Sequence, residues 1–158
     1  MQHVIGIAEM KVTDQRDDVL VTYSLGSCVG LSLYDPKIGV GGLIHCMLPL
    51  SRLDPERAKR TPWMFADTGV PALLKAVLDL GASRRRLVVK VAGGAAPLSD
   101  NGVFKIGERN YTVLRKVMWK NDILIAGEAV GGTVARTLTL YMDTGRTTVR
   151  SGGVEEEL

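Results

Sequence analysis

The chain has 158 residues, of which 46% are hydrophobic, and a formal net charge of +3, a size and apolar content that suit one domain with a real core. No apolar run approaches the roughly 18 residues of a membrane span, and no basic-then-apolar leader opens the sequence. Neither interleaved aromatic residues nor a known binding motif accompanies the arginines, which disfavours nucleic acid as a partner.

Residues 19–23 and 29–34 are β-rich runs separated by Ser24-Leu25-Gly26-Ser27, which predicts a hairpin or tight connection with Cys28 at its exit. A turn cluster follows at 35–39, then a strand at 41–48. That strand carries His45 and Cys46 on opposite faces, because successive strand side chains alternate. Residues 50–60 form a charged, proline-containing connection. A helix is predicted from an N-cap at Asp67 or Thr68, with Pro71 in its first turn, to Gly81, where Val70, Leu73, Leu74, Val77 and Leu78 make a core stripe.

Residues 87–92 predict a short strand, followed by Gly93-Gly94 and a polar loop to Gly102. Without a Gly-Lys-Ser/Thr run or a dinucleotide fingerprint, this glycine pair predicts close backbone approach near the site, or a tight turn, in preference to a phosphate cradle. A second helix is predicted over 107–121, with Val113, Leu114, Val117 and Met118 inward. A strand at 123–127 and a terminal hairpin of 137–141 and 147–150 complete a single domain of residues 1–152. Residues 153–158 are expected to form an acidic, disordered tail. Strands outnumber helices and the two mix along the chain, which predicts an α/β layered sandwich.

The candidate chemistry gathers around the first turn. A cysteine is a nucleophile only as its thiolate, so Cys28 needs help relative to a free thiol near ~8.5. The N–H groups of Gly26 and Ser27 can form a small anion-binding concavity beside the sulfur. His45 can pair with the thiolate as an imidazolium or carry a proton to a leaving group. The Thr22 hydroxyl can accept from one ring nitrogen and leave the other facing sulfur. Spacing alone leaves packing roles open for these residues, since a lone cysteine or histidine in an apolar region more often packs than reacts. Cys46 reads as a small core hydrophobe. The Cys and His residues supply no ligand set on one face, which disfavours zinc, and two cysteines in opposite environments predict no disulfide.

Charge is uneven. Arg52, Arg57, Lys59 and Arg60 cluster after the His45 strand, and Arg84-Arg85-Arg86 forms a second cluster. These are solvated loop charges or an electrostatic rim for an acidic partner.

Several segments carry a wider resemblance: Val4-Ile5-Gly6-Ile7-Ala8-Glu9, Leu25-Gly26-Ser27-Cys28-Val29, His45-Cys46-Met47-Leu48-Pro49, Met64-Phe65-Ala66-Asp67, Lys90-Val91-Ala92-Gly93-Gly94-Ala95, Phe104-Lys105-Ile106-Gly107-Glu108-Arg109-Asn110, and Glu128-Ala129-Val130-Gly131-Gly132. In this order they resemble the CheD family of chemoreceptor glutamine deamidases over nearly the whole chain. The resemblance implies β-sheet layers with two principal helices packed outside. It places the family's nucleophile on Cys28, its general base on His45 and its orienting threonine on Thr22. Two positions depart from the family pattern, Ala129 where Asp is usual and Ala135 where Gly is frequent, and both lie outside that trio.

The implied activity is conversion of receptor glutamines to glutamate through a cysteine thioester, with release of ammonia and without a metal or organic cofactor. Implied partners are methyl-accepting chemotaxis receptors as substrate and a CheC-type phosphatase as regulator; the absence of an expected disulfide separately predicts the cytoplasm, where a free thiolate survives. Phe104, in a polar run, is either a core anchor for the helix that follows or an exposed CheC contact. Alternatives of a different class are a non-catalytic chemotaxis adaptor and a thiol-dependent receptor methylesterase. A papain-like protease fits poorly, lacking that family's local signature and a later histidine.

Overall fold

A computed structural model describes residues 1–97 and 105–158. Phe104 therefore lies outside the described residues. The ten described strands form two five-stranded sheets. The first runs in the order β1 (Gln2–Val4), β3 (Val19–Leu25), β8 (Arg136–Tyr141), β9 (Thr147–Ser151) and β10 (Val154–Glu157). The second runs β2 (Glu9–Thr13), β5 (Val40–Cys46), β4 (Val29–Asp35), β6 (Val88–Gly93) and β7 (Gly127–Val130). Each sheet is mixed: β1–β3 and β6–β7 pair parallel and the other neighbours antiparallel.

Alternation along β4 and β5 sets the layers. Val29, Leu31 and Leu33 of β4, with Ile44 and Cys46 of β5, face the helices α2 (Ala66–Asp79) and α3 (Ile106–Lys120). There they meet Val70, Leu73, Leu74 and Val77 of α2 and Leu114 and Met118 of α3. Tyr34 and Leu43 point the other way, into a second core with Leu20, Leu25, Leu138 and Leu140 of the first sheet. The order is helices, sheet, sheet, the expected α/β layered sandwich with two principal helices on its outside. Both faces of β4 and β5 are covered, so every residue of these strands is buried. No helix among the described residues is long and apolar enough to cross a membrane.

Several sequence expectations need correction. Residues 24–27 do not close a hairpin, because β3 and β4 belong to different sheets; the connection is tight but carries the chain across the sandwich. The segment 50–60 contains a short helix, α1 (Pro55–Arg60), started by the Asp54 carboxylate accepting from Arg57 N–H at 3.1 Å. The α2 helix begins earlier than expected, with Phe65 as its N-cap. Asp67 instead accepts from Ser51 N–H and Oγ–H at 2.8 and 2.9 Å, and Thr68 Oγ1–H donates to Pro62 O at 2.6 Å.

The strand expected at 123–127 is displaced to 127–130, since Ile123 is drawn into the core beneath the helices and the chain needs residues 123–126 to return from α3 to the sheet edge. The expected acidic tail is β10, which turns back at Gly152 and Gly153, both at positive φ, and pairs with β9. Its charges do not oppose this, because all four of its residues are exposed on an edge strand.

One member of the second arginine cluster is structural. Arg86 forms a 2.9 Å ion pair with Asp35, whose side chain is fully buried. Burial would raise the Asp35 carboxyl, but hydrogen bonds from Arg86 and from the Ser83 and Lys37 N–H groups outweigh it and hold the carboxyl below its ordinary value.

Candidate active site

Two crossings between the sheets frame the candidate site. One runs from β3 to β4 and carries Gly26, Ser27 and Cys28. The other runs from β1 to β2 through residues 5–8, where Ala8 takes a positive φ of 61° and donates its N–H to the His45 carbonyl at 2.9 Å. The end of β3 is bulged: its register against β8 shifts between Thr22 and Leu25, with Ser24 at φ 59°. This extra residue lets Thr22 and Leu25 both point inward, leaving Tyr23 and Ser24 exposed.

Thr22 and His45 meet across the sandwich. Thr22 Oγ1 lies 2.7 Å from His45 Nδ1 and 2.7 Å from the carbonyl oxygen of Ile5. A carbonyl only accepts, so the single hydroxyl proton of Thr22 is committed to Ile5. Thr22 must then accept from His45, which puts the ring proton on Nδ1 and leaves Nε2 with a bare lone pair. Nε2 is buried and has no hydrogen-bond partner among the described residues. A proton acceptor is thereby created inside the sandwich without spending it on the fold.

Strand register relates Cys28 to that ring. His45 sits opposite Gly30 in the β4–β5 ladder. Cys28, two residues before Gly30, lies on the same face, at a diagonal position from His45. It is half-buried and packs against the core between the sheets. Cys46 belongs to the other core, beside α2, so the structure separates the two cysteines as strand alternation required. A Cβ on Gly69 of α2 would lie 3.2 Å from Cys46 Sγ.

Burial dominates the electrostatics. It lowers His45 from its ordinary 6.5 to about 4 and raises the Cys28 thiol, an effect that the Cys28 backbone N–H only partly offsets. Cys46 is pushed far higher by complete burial and by the neighbouring Cys28 and Asp67 charges. At neutral pH the resting state is therefore a neutral thiol and a neutral imidazole, not the thiolate–imidazolium pair that residue types alone suggest.

The turn residues divide their work. Gly26 N–H donates to Ser24 O at 3.0 Å and Gly26 O accepts from Ala95 N–H at 2.9 Å, so Gly26 is used to build the turn. The N–H groups of Ser27 and Cys28 find no backbone acceptor among the described residues. The Gly93-Gly94 pair buttresses the turn from β6: Gly94 N–H donates to Cys28 O at 2.8 Å, and Gly93, at φ 108°, leaves no room for a Cβ against the same carbonyl. Gly93→Ala is expected to cost about 3 kcal/mol from strain and steric conflict combined, and to displace Cys28, changing the rate at which its thiol is alkylated. Chemical denaturation alongside a rate measurement checks both. A cleft of about 420 Å³ opens beside this buttress, between Gly94, Gly107, Tyr111 and Gly131.

Sequence reasoning missed two contributors, the Ile5 carbonyl and Asn110. A backbone acceptor leaves no mark in side-chain chemistry. Asn110 did leave one: it stands four residues before Leu114 and eight before Met118, on the inward stripe of α3, where a polar side chain requires a reason.

Comparison with known proteins agrees with the residue pattern. Residues 47–151 match the family model described as CheD chemotactic sensory transduction. A probable chemoreceptor glutamine deamidase CheD of Solibacter usitatus is 50% identical over 157 residues, covering 99% of this chain and 93% of that protein. The probable chemoreceptor glutamine deamidase CheD 1 of Syntrophus aciditrophicus is 49% identical, covering 95% and 94% respectively. A probable chemoreceptor glutamine deamidase CheD of Symbiobacterium thermophilum is 45% identical over 152 residues, or 94% of this chain and 92% of its own length. Similarity of this depth over nearly the full length of both partners makes the chain a member of the CheD family.

Proposed function

We propose that this chain is a protein-glutamine deamidase acting on chemoreceptors, with Cys28 as nucleophile, His45 as general base and acid, and Thr22 as the group that orients the ring. The observation that carries the reading is the commitment of the Thr22 proton to Ile5, which leaves His45 Nε2 as an unpartnered base on the face shared with Cys28. The names of relatives at 50% and 49% identity supply the substrate class.

In the proposed cycle the Cys28 thiol proton passes to His45 Nε2 as sulfur attacks the glutamine carboxamide carbon. The N–H groups of Ser27 and Cys28 hold the resulting oxyanion. Nε2 returns the proton to the departing nitrogen, ammonia leaves, and a glutamyl thioester remains. Nε2 then takes a proton from water, the hydroxide attacks the thioester carbon, the C–S bond breaks, the leaving thiolate takes the proton back from Nε2, and the new carboxylic acid ionises to glutamate. A base with a pKa of about 4 is weak, but its environment is dry and its proton transfer is coupled to sulfur attack, so it need hold the proton only transiently.

The test is peptide mass mapping of a purified receptor signalling domain after incubation with this protein, with ammonia and methanol assayed together. Glutamine-to-glutamate conversion with ammonia supports the reading. Methanol release would make the chain a methylesterase, and neither product would leave the adaptor class. A CheC-type phosphatase is the proposed regulator, by family resemblance, with Phe104 as its contact. Phe104→Glu is expected to weaken CheC binding in calorimetry at unchanged deamidation rate and melting temperature; a large fall in melting temperature would assign Phe104 to the core instead.

A further inference from the structure

We propose that Asn110 is a positioning residue that fixes the spacing between Cys28 and His45, an inference that rests on the mechanism above. Its side chain is fully buried in α3. The amide nitrogen donates to Ser27 O at 2.9 Å and to Met47 O at 3.0 Å. Both neighbours are carbonyls, so the amide has one allowed orientation, with both of its protons used. The two carbonyls are not interchangeable parts of the fold. Ser27 immediately precedes Cys28, and Met47 lies two residues after His45, just beyond the end of β5. Asn110 thus spans the point where the β4–β5 ladder has ended and backbone pairing no longer sets the separation of the two strands.

The Asn110 Oδ1 atom is buried and without a partner among the described residues. A residue selected for packing would avoid that penalty, and a leucine at this position would continue the stripe of Leu114 and Met118. What an amide alone supplies among uncharged side chains is two donors diverging from one side-chain atom to two backbone segments. A hydroxyl offers one proton, and a carboxylate offers none.

The test compares wild type, Asn110→Ala, Asn110→Ser and His45→Ala. It reads kcat and KM for receptor deamidation, and the rate of Cys28 alkylation by iodoacetamide across pH. With the clamp removed, Asn110→Ala is expected to lose about a hundredfold in kcat at nearly unchanged KM, as for a misplaced reacting group. Its alkylation profile is expected to move toward that of His45→Ala, and Asn110→Ser, which keeps one donor, to fall between. A purely structural Asn110 would lower the melting temperature while leaving kcat and the alkylation profile of the folded variant at wild-type values, and that result overturns the inference. Should Asn110→Ala fail to fold, Asn110→Ser decides alone by the same two readouts. If His45→Ala itself alkylates as wild type does, the pairing of Cys28 with His45 is wrong and this inference falls with it. If His45→Ala differs and the Asn110 variants do not, only the role of Asn110 is lost.

Discussion

Cys28→Ala is expected to abolish glutamine deamidation, with a loss on the order of 10⁴-fold or more, while melting behaviour and circular dichroism stay close to wild type. The asymmetry follows from where the residue sits. Cys28 is half-buried at the mouth of the core between the sheets, and its substitution removes one sulfur from a position already in contact with solvent. The turn around it is held by backbone hydrogen bonds from Gly94 and Ala95, which alanine leaves intact. Cys46→Ala should show the reverse pattern, since its side chain is fully enclosed beside α2 and has no place in the proposed chemistry. Appreciable ammonia release by folded Cys28→Ala would remove Cys28 as nucleophile.

His45→Ala is expected to cost nearly all turnover, and Thr22→Ala to retain part of it, because in the proposed mechanism the threonine orients the ring without carrying the transferred proton. The acid limb of kcat/KM in the wild type should fall at about pH 4 and not at 6.5, since burial keeps the ring neutral through the range where a free histidine charges. Stability follows with a definite sign. Between about 4 and 6.5 the unfolded chain binds a proton at His45 that the folded protein refuses, so stability rises with pH across that window and is fully present above it. The contribution is on the order of 3 kcal/mol. Denaturant titrations of wild type and His45→Ala at pH 7 and pH 4.5 measure it as the part of the pH dependence that the substitution removes. An equal pH dependence in both proteins would mean that the ring titrates freely when folded.

The split of His45 from Cys46 was readable because side-chain alternation is a local property of any strand, and the stripes of α2 and α3 were readable for the corresponding helical reason. The destination of β3 was not. A turn sequence such as 24–27 specifies that the chain changes direction, but whether the next strand joins the same sheet or the facing one depends on partners more than a hundred residues away, such as Leu138 opposite Thr22. β1 and β2 escaped because strands of three and five residues, largely exposed or half-buried, have no clear alternation. The residue types at Thr22, Cys28 and His45 pointed to thiol chemistry. Which ring nitrogen holds the proton could be read only once Ile5 was seen to occupy the threonine hydroxyl.

Under the proposed mechanism that contact also times the birth of activity. Thr22 and His45 lie on strands from different sheets, so each can be correctly paired within its own sheet while the imidazole has no fixed tautomer. Only when the leucines of the two sheets close on one another does the ring acquire its orienter and lose its water. A nascent chain with both sheets formed but not docked carries an ordinary, solvated thiol. During refolding, deamidase activity should return together with the last tertiary step, later than strand content, and the protein would in effect report its own completion.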